Sequence, residues 1–211
     1  GYHAVDSLDD FPLDQLVGGE IRLDWIDIDG NSYLRESRKA GFYLADTADL
    51  GASVKGFRAA TTFKAKKDGL HRFGGGGIGS HVYRVNGEVK HTDNLIIHEG
   101  MDLAEAFLAP PQTFFDVQLS AGETLEIELE FFGNLPEEMS GFSGFFGYRA
   151  PRLSPQEEWD AAIAGARSAD VAVVVVGTTA LVESEGFDRK DLLLPGRQNE
   201  LVEAIAAVNP N

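Results

Sequence analysis

Hydrophobic and polar positions divide the chain into two regions of different period. From residue 20 to residue 148 the apolar residues come in short alternating or aromatic-rich runs separated by Gly, Asn and Asp, the pattern of β-strands joined by tight turns. The clearest runs are 57–65, 70–73, 81–85, 114–119 and 124–132. Between the first two, Lys67-Asp68-Gly69 reads as a hairpin turn. Asn86-Gly87, just after Val85, is the pair that type I′ hairpins favour, because both central residues need positive φ. Ser120-Ala121-Gly122-Glu123 is a third turn. This punctuation predicts an antiparallel β-sandwich or barrel over residues 1–151. Residues 91–111 lack the alternation and end in two prolines, so they are expected to leave the sheet as a long irregular excursion.

After Pro151 the period changes. Ser154-Pro155-Gln156-Glu157 carries a helix-start signal: a capping hydroxyl, proline at the first helical position and glutamate at the third. Trp159, Ala162, Ile163 and Ala166 then recur at helical spacing and mark one buried face. Residues 171–176 are apolar throughout and mostly valine, which reads as a short parallel strand buried on both faces. A loop follows from Gly177 to Gly196. A second helix begins near Arg197, with Leu201, Val202, Ile205 and Val208 as its buried stripe, and Pro210 stops it. The expected fold class is therefore mainly β, a sandwich over 1–151 followed by a partial α/β segment (helix, strand, loop, helix) over 152–211. One buried parallel strand needs neighbours that the rest of the pattern does not supply, which implies a piece of a larger protein.

Composition narrows the partners. Acidic residues outnumber basic ones 34 to 18, and a net charge of -16 repels a phosphate backbone or an anionic membrane surface. No apolar run approaches the roughly 18 residues of a membrane span. Neither nucleic acid nor membrane is an expected partner. With no cysteine there is no disulfide framework, and the compartment stays open.

Three groups of residues invite a chemical reading. Gly74, Gly76 and Gly79 match G-x-G-x-x-G, but a strand and a turn follow where a dinucleotide site needs a helix, so the glycines read as a bend where backbones approach closely. The five histidines, His3, His71, His81, His91 and His98, show no ligand spacing and read as scattered surface residues. Asp9-Asp10 lacks the ordered oxygen ligands of a calcium loop. No cofactor and no metal are expected. The third group is the acidic loop Glu183-Ser184-Glu185-Gly186-Phe187-Asp188-Arg189, directly after the valine strand. Ligands of open α/β sheets bind at the carboxyl ends of strands, and a glutamate shielded beside Phe187 suits a general acid. Gly186 lets the backbone turn sharply there. A solvated loop with an internal Asp188–Arg189 ion pair is the other reading.

These residues resemble a known family. The valine-rich strand, the E-x-E-G-x-D-R loop at 183–189, Leu192-Leu193-Leu194-Pro195-Gly196-Arg197-Gln198 and the final Asn209-Pro210 are similar, in this order, to the C-terminal α/β-sandwich domain of glycoside hydrolase family 3. The preceding strands look like the PA14 β-sandwich inserted into that domain in a subset of these enzymes. The resemblance implies a retaining β-glycosidase, most often a β-glucosidase, acting on β-glucosides or related oligosaccharides through two carboxylates. It implies that Glu185 is the acid/base, with Glu183 as second choice, and that Gly186, Asp188 and Arg189 position the loop. The nucleophile would sit on a (β/α)8 barrel of the same parent chain, absent here, so this chain alone is expected to be inactive. Asp9-Asp10 lies too near the start to match the aspartate pair through which some PA14 domains hold calcium. In the enzymes carrying the insertion, the domain leans over the pocket, and 91–111 is a candidate lip. The alternative is a non-catalytic carbohydrate-binding or interaction module.

Overall fold

A computed structural model describes residues 7–27, 29–38, 43–44, 54–102, 106, 110–134, 143–178, 182–183 and 188–211. They fall into two compact units, one within Ser7–Pro151 and one whose described residues lie within Arg152–Asn211.

The described residues of the first unit form ten strands: β1 (Ile21–Asp27), β2 (Ser32–Arg38), β3 (Tyr43–Leu44), β4 (Val54–Lys64), β5 (Gly69–Gly76), β6 (Gly79–Val85), β7 (Glu88–Leu95), β8 (Gln112–Leu119), β9 (Thr124–Gly133) and β10 (Gly144–Arg149). They form a six-stranded sheet, β2-β1-β4-β9-β6-β7, and a four-stranded sheet, β3-β10-β5-β8. Every pairing is antiparallel. Alternation decides which side chains go inside: Leu125, Ile127, Leu129 and Phe131 of β9 are buried, while the residues between them are not. They meet Phe73, Phe146 and Tyr148 from the other sheet in one core. Aromatic rings dominate it, with Phe63 and Tyr148 centroids 4.7 Å apart and Phe11 and Phe146 4.8 Å apart.

One turn differs from its sequence reading, and another that is a turn as expected does not pair its strands. Lys67-Asp68-Gly69 does not close a hairpin, because β4 lies in one sheet and β5 in the other. Ser120-Ala121-Gly122-Glu123 likewise joins β8 to β9 across the sandwich. The two corners fold together: the Ala65 amide donates to the Glu123 carbonyl at 2.9 Å, and the Gly122 amide to the Ala65 carbonyl at 2.7 Å. The β4–β9 ribbon thus bends over to become β5–β8. Bending lets Phe63 and Phe73 meet edge to face across the core, with centroids 5.1 Å apart. Asn86-Gly87 does form the two-residue hairpin between β6 and β7, with φ of 50° and 82°.

The excursion starts later than its prolines suggest. Residues 91–95 belong to β7, an edge strand in which His91 to Asn94 are polar on both faces, so hydrophobic alternation gives no signal there. The surface reading of the histidines is also corrected: His71 and His81 are fully buried. His71 faces inward on β5, where Nδ1 lies 2.8 Å from the Tyr148 hydroxyl and Nε2 lies 2.9 Å from the Lys67 carbonyl. His81 sits inward on β6, its ring centroid 4.9 Å from that of Phe131. His91 is half-buried, His98 is exposed, and His3 lies outside the described residues.

In the second unit α1 (Pro155–Ser168) and α2 (Gln198–Val208) pack through Ala166, Leu201 and Ile205, with Trp159, Ala162, Ile163 and Val208 around them. Val202, expected in the stripe, is 39% exposed because it falls to the side of the contact. Ser154 and Glu157 make a reciprocal capping box at the start of α1. Those bonds, the Ser154 side chain first, hold the Glu157 carboxyl below its usual range. Its contribution is therefore present above the unfolded value and lost as pH falls through the folded one. Ser154→Ala is expected to cost about 1 kcal/mol, read as lost hydrogen-exchange protection in the first turn of α1.

The buried valine strand is not observed. Residues 172–177 carry no strand ladder, Val173 is 85% and Val175 90% exposed, and only Ala172 and Val174 pack against the helices. A ladder needs neighbouring strands, and no described residue supplies one. The other face of this apolar segment is left in water.

Candidate active-site loop

The acidic loop leaves this valine segment at Gly177, and Gln198 holds its base. Gln198 is buried at the start of α2. Its Oε1 accepts from the Gly177 amide at 2.8 Å, while Nε2 donates to the Gly177 carbonyl at 2.8 Å and to the Pro195 carbonyl at 3.0 Å. A primary amide thus replaces a missing strand neighbour for one residue, satisfying both backbone groups of Gly177. Asn209 does the same at the far end of α1, donating to the carbonyls of Ala166 and Ala169 at 2.9 and 2.8 Å. Its Oδ1 accepts from the Asn211 amide at 3.0 Å, and the Asn211 carbonyl accepts from the Ala172 amide at 3.2 Å. Both residues stood in the sequence motifs, but without a role. The sequence holds amide side chains at both ends of the second helix, where backbone groups go unpaired, but nothing in their spacing says which of them turns inward.

Gln198→Leu leaves the Gly177 amide and carbonyl without those bonds. It is expected to destabilise the Arg152–Asn211 unit by about 1–3 kcal/mol, measured as faster amide exchange at Gly177 while amides of the β-sandwich core keep their protection.

Within the loop, Glu183 has partners on both oxygens. The Thr178 hydroxyl donates a hydrogen bond to Oε1, and Arg189 Nε lies 3.5 Å from Oε2. The carboxylate therefore ties the start of the loop to its end. The ion pair described here is Arg189 with Glu183; Asp188 instead accepts from the Arg189 backbone amide at 2.8 Å. Ser184, Glu185, Gly186 and Phe187 lie outside the described residues. Arg197 stacks its guanidinium 4.0 Å above the Trp159 ring and bonds Glu200 at 2.8 Å, joining the two helices.

The other sequence candidates are placed elsewhere. β6 follows the glycine run, and an added Cβ at Gly75 would lie 2.4 Å from the Phe145 carbonyl oxygen, so this bend serves close backbone packing. Asp9 forms an isolated backbone bridge with Tyr148. Among the described residues no group of three or more His, Cys, Asp or Glu could hold a metal.

Residues 31–211 match the family model for the glycosyl hydrolase family 3 C-terminal domain. Beta-glucosidase B of Emericella nidulans is 29% identical over 163 residues, covering 73% of this chain and 19% of that protein. Thermostable beta-glucosidase B of Acetivibrio thermocellus is 46% identical over 66 residues, 31% of this chain and 9% of that protein. The chain thus spans less than a fifth of the length of these curated relatives. A crystal structure of a beta-glucosidase from Kluyveromyces marxianus in complex with glucose shares the fold, with a TM-score of 0.75 at 18% identity over 99% of this chain and 27% of that one. The family match runs through both the β-sandwich and the helical unit that anchors the acidic loop, and the chain belongs to the glycosyl hydrolase family 3 C-terminal domain family.

Proposed function

We propose that this chain is part of a retaining β-glycosidase, a β-glucosidase in the first instance, that releases terminal β-linked sugars from glycosides or short oligosaccharides. The observation that carries the reading is the anchored acidic loop, held at Gly177 by Gln198 and closed by Thr178, Glu183 and Arg189, within a family 3 C-terminal domain. The names of the relatives, all beta-glucosidases, support the same substrate class.

In this reading Glu185 protonates the leaving oxygen and then activates water, while a carboxylate on the parent's (β/α)8 barrel attacks the anomeric carbon. The occupied oxygens of Glu183 favour a positioning role for it over proton transfer. Gly186 supplies the turn, and Arg189 and Asp188 hold the loop. The β-sandwich of residues 1–151 is a PA14-like insertion that shapes the pocket, and 152–211 belongs to the α/β-sandwich domain. Val173 and Val175 are then the face that neighbouring parallel strands of the parent cover.

The test is an assay of the full-length polypeptide beside this chain alone on methyl and aryl β-glucosides, with the first-formed anomer read by NMR. Hydrolysis by the full-length protein with β-glucose appearing first, and none by the isolated chain, is expected. No hydrolysis of either β-glucoside by the full-length protein, or an α first product, would overturn the reading.

A further inference from the structure

The outer face of the six-stranded sheet carries its charges in rows. One row crosses four strands, with Arg35 on β2, Asp24 on β1, Arg58 on β4 and Glu130 on β9, each opposite the next. Arg35 bonds Asp24, and Arg58 bonds Glu130. In the next row the β4 position is Ala60, opposite Arg22 on one side and Glu128 on the other, with Arg84 of β6 beyond Glu128. Where Arg58 fills its row, Ala60 offers only a methyl group. The gap is an open hollow of about 410 Å³, with Ala60 and Thr62 of the central strand between walls of arginine and glutamate.

These walls are held by one another. Arg84 Nη1 donates to Glu128 Oε1 at 3.0 Å, its Nη2 lies 3.7 Å from Glu130 Oε1, and Arg22 Nε lies 3.8 Å from Asp24 Oδ2. Long side chains already ordered by ion pairs lose less freedom when a ligand arrives. The hollow also presents Glu126 and Ser37. Guanidinium donors thus alternate with carboxylate acceptors and hydroxyls around it. An anion would suit the arginines but face Glu126 and Glu128, and a cation would meet the reverse conflict. A neutral polyol conflicts with neither, since each hydroxyl can donate to a carboxylate and accept from a guanidinium. The volume lies within the range of about 300–1,000 Å³ typical of small-molecule sites.

We propose that this hollow, formed within the β-sandwich unit, is a binding site for a neutral mono- or disaccharide. Among the described residues that line it none is aromatic, and these residues offer hydrogen bonds to ring hydroxyls. The site is read from its lining and does not rest on the catalytic reading.

The experiment is a ¹⁵N-resolved NMR titration of this chain with methyl β-glucoside, with cellobiose and, separately, with inorganic phosphate. Saturable shifts of the Ala60, Thr62, Arg84 and Glu128 amides with the neutral sugars, and none with phosphate, are expected. Ala60→Leu should fill the hollow and abolish those shifts. Glu126→Gln, which removes one charged acceptor at an exposed position, should weaken binding about tenfold and keeps the test decisive if Ala60→Leu does not fold. Absence of saturable shifts with either sugar, equal shifts with phosphate, or binding unchanged in the variants would overturn the proposal. Because no catalysis is read, such a failure would leave the glycosidase assignment where it stands.

Discussion

On the proposed glycosidase reading, replacing Glu185 by alanine in the full-length polypeptide is expected to slow hydrolysis of alkyl β-glucosides by about 10²–10⁴-fold while aryl glucosides with acidic phenol leaving groups lose far less. The difference comes from where the proton is needed. An alkoxide is too basic to leave unprotonated, whereas an acidic phenolate departs without help, so removing the acid exposes the demand of the leaving group. The contacts of Glu183 let the test tell the two glutamates apart. Glu183, two residues earlier, is engaged by Thr178 and Arg189, so its removal should loosen the loop and lower both classes of substrate together. Equal losses for alkyl and aryl substrates in Glu185→Ala would remove Glu185 from the proton-transfer role. A leaving-group-dependent loss in Glu183→Ala instead would move that role to Glu183.

Acid is expected to weaken the β-sandwich through His81. This side chain is fully buried beside Phe131 and Tyr83, and burial pulls its pKa from 6.5 down to about 4, only partly opposed by the carbonyls of Gly79 and Gly76 and by Asp93. The folded state therefore refuses a proton that the unfolded chain accepts below 6.5. Its stability contribution is complete above the unfolded value and falls away as pH drops toward the folded one, a loss on the order of 3 kcal/mol. Urea unfolding of the chain and of His81→Phe at neutral pH and near pH 4 separates this from the general titration of carboxylates, which both proteins share. The variant should lose less stability on acidification than the parent. Identical losses in the two would mean that His81 is protonated without penalty in the fold.

Much of the strand and helix content was legible along the chain. Alternation at 57–65 and 124–132 marks β4 and β9 because one face of each is buried and the other wet. Asn86-Gly87 names its own hairpin through positive φ, and Ser154 with Glu157 names the start of α1 through unpaired amides. Partnership between strands was not legible in the same way. The turns at 67–69 and 120–123 have hairpin-like composition but cross between sheets, since composition sets how sharply a chain turns and not which sheet it enters.

The candidate site divides along the same line. The order of motifs from the valine segment to Asn209-Pro210 is enough to identify the family, because each motif is a short run whose residues are contiguous. The work of Gln198, which bonds Gly177 from 21 positions away, depends on α2 folding back beside residues 172–177, and linear spacing carries no trace of that. The same holds for the buried imidazoles of His71 and His81 and for the hollow over Ala60, whose walls come from β1, β2, β6 and β9. Backbone preference, local periodicity and capping are short-range, so they are written in neighbouring residues; burial, sheet partnership and the convergence of distant charges exist only once the ribbon has bent over and brought its faces together.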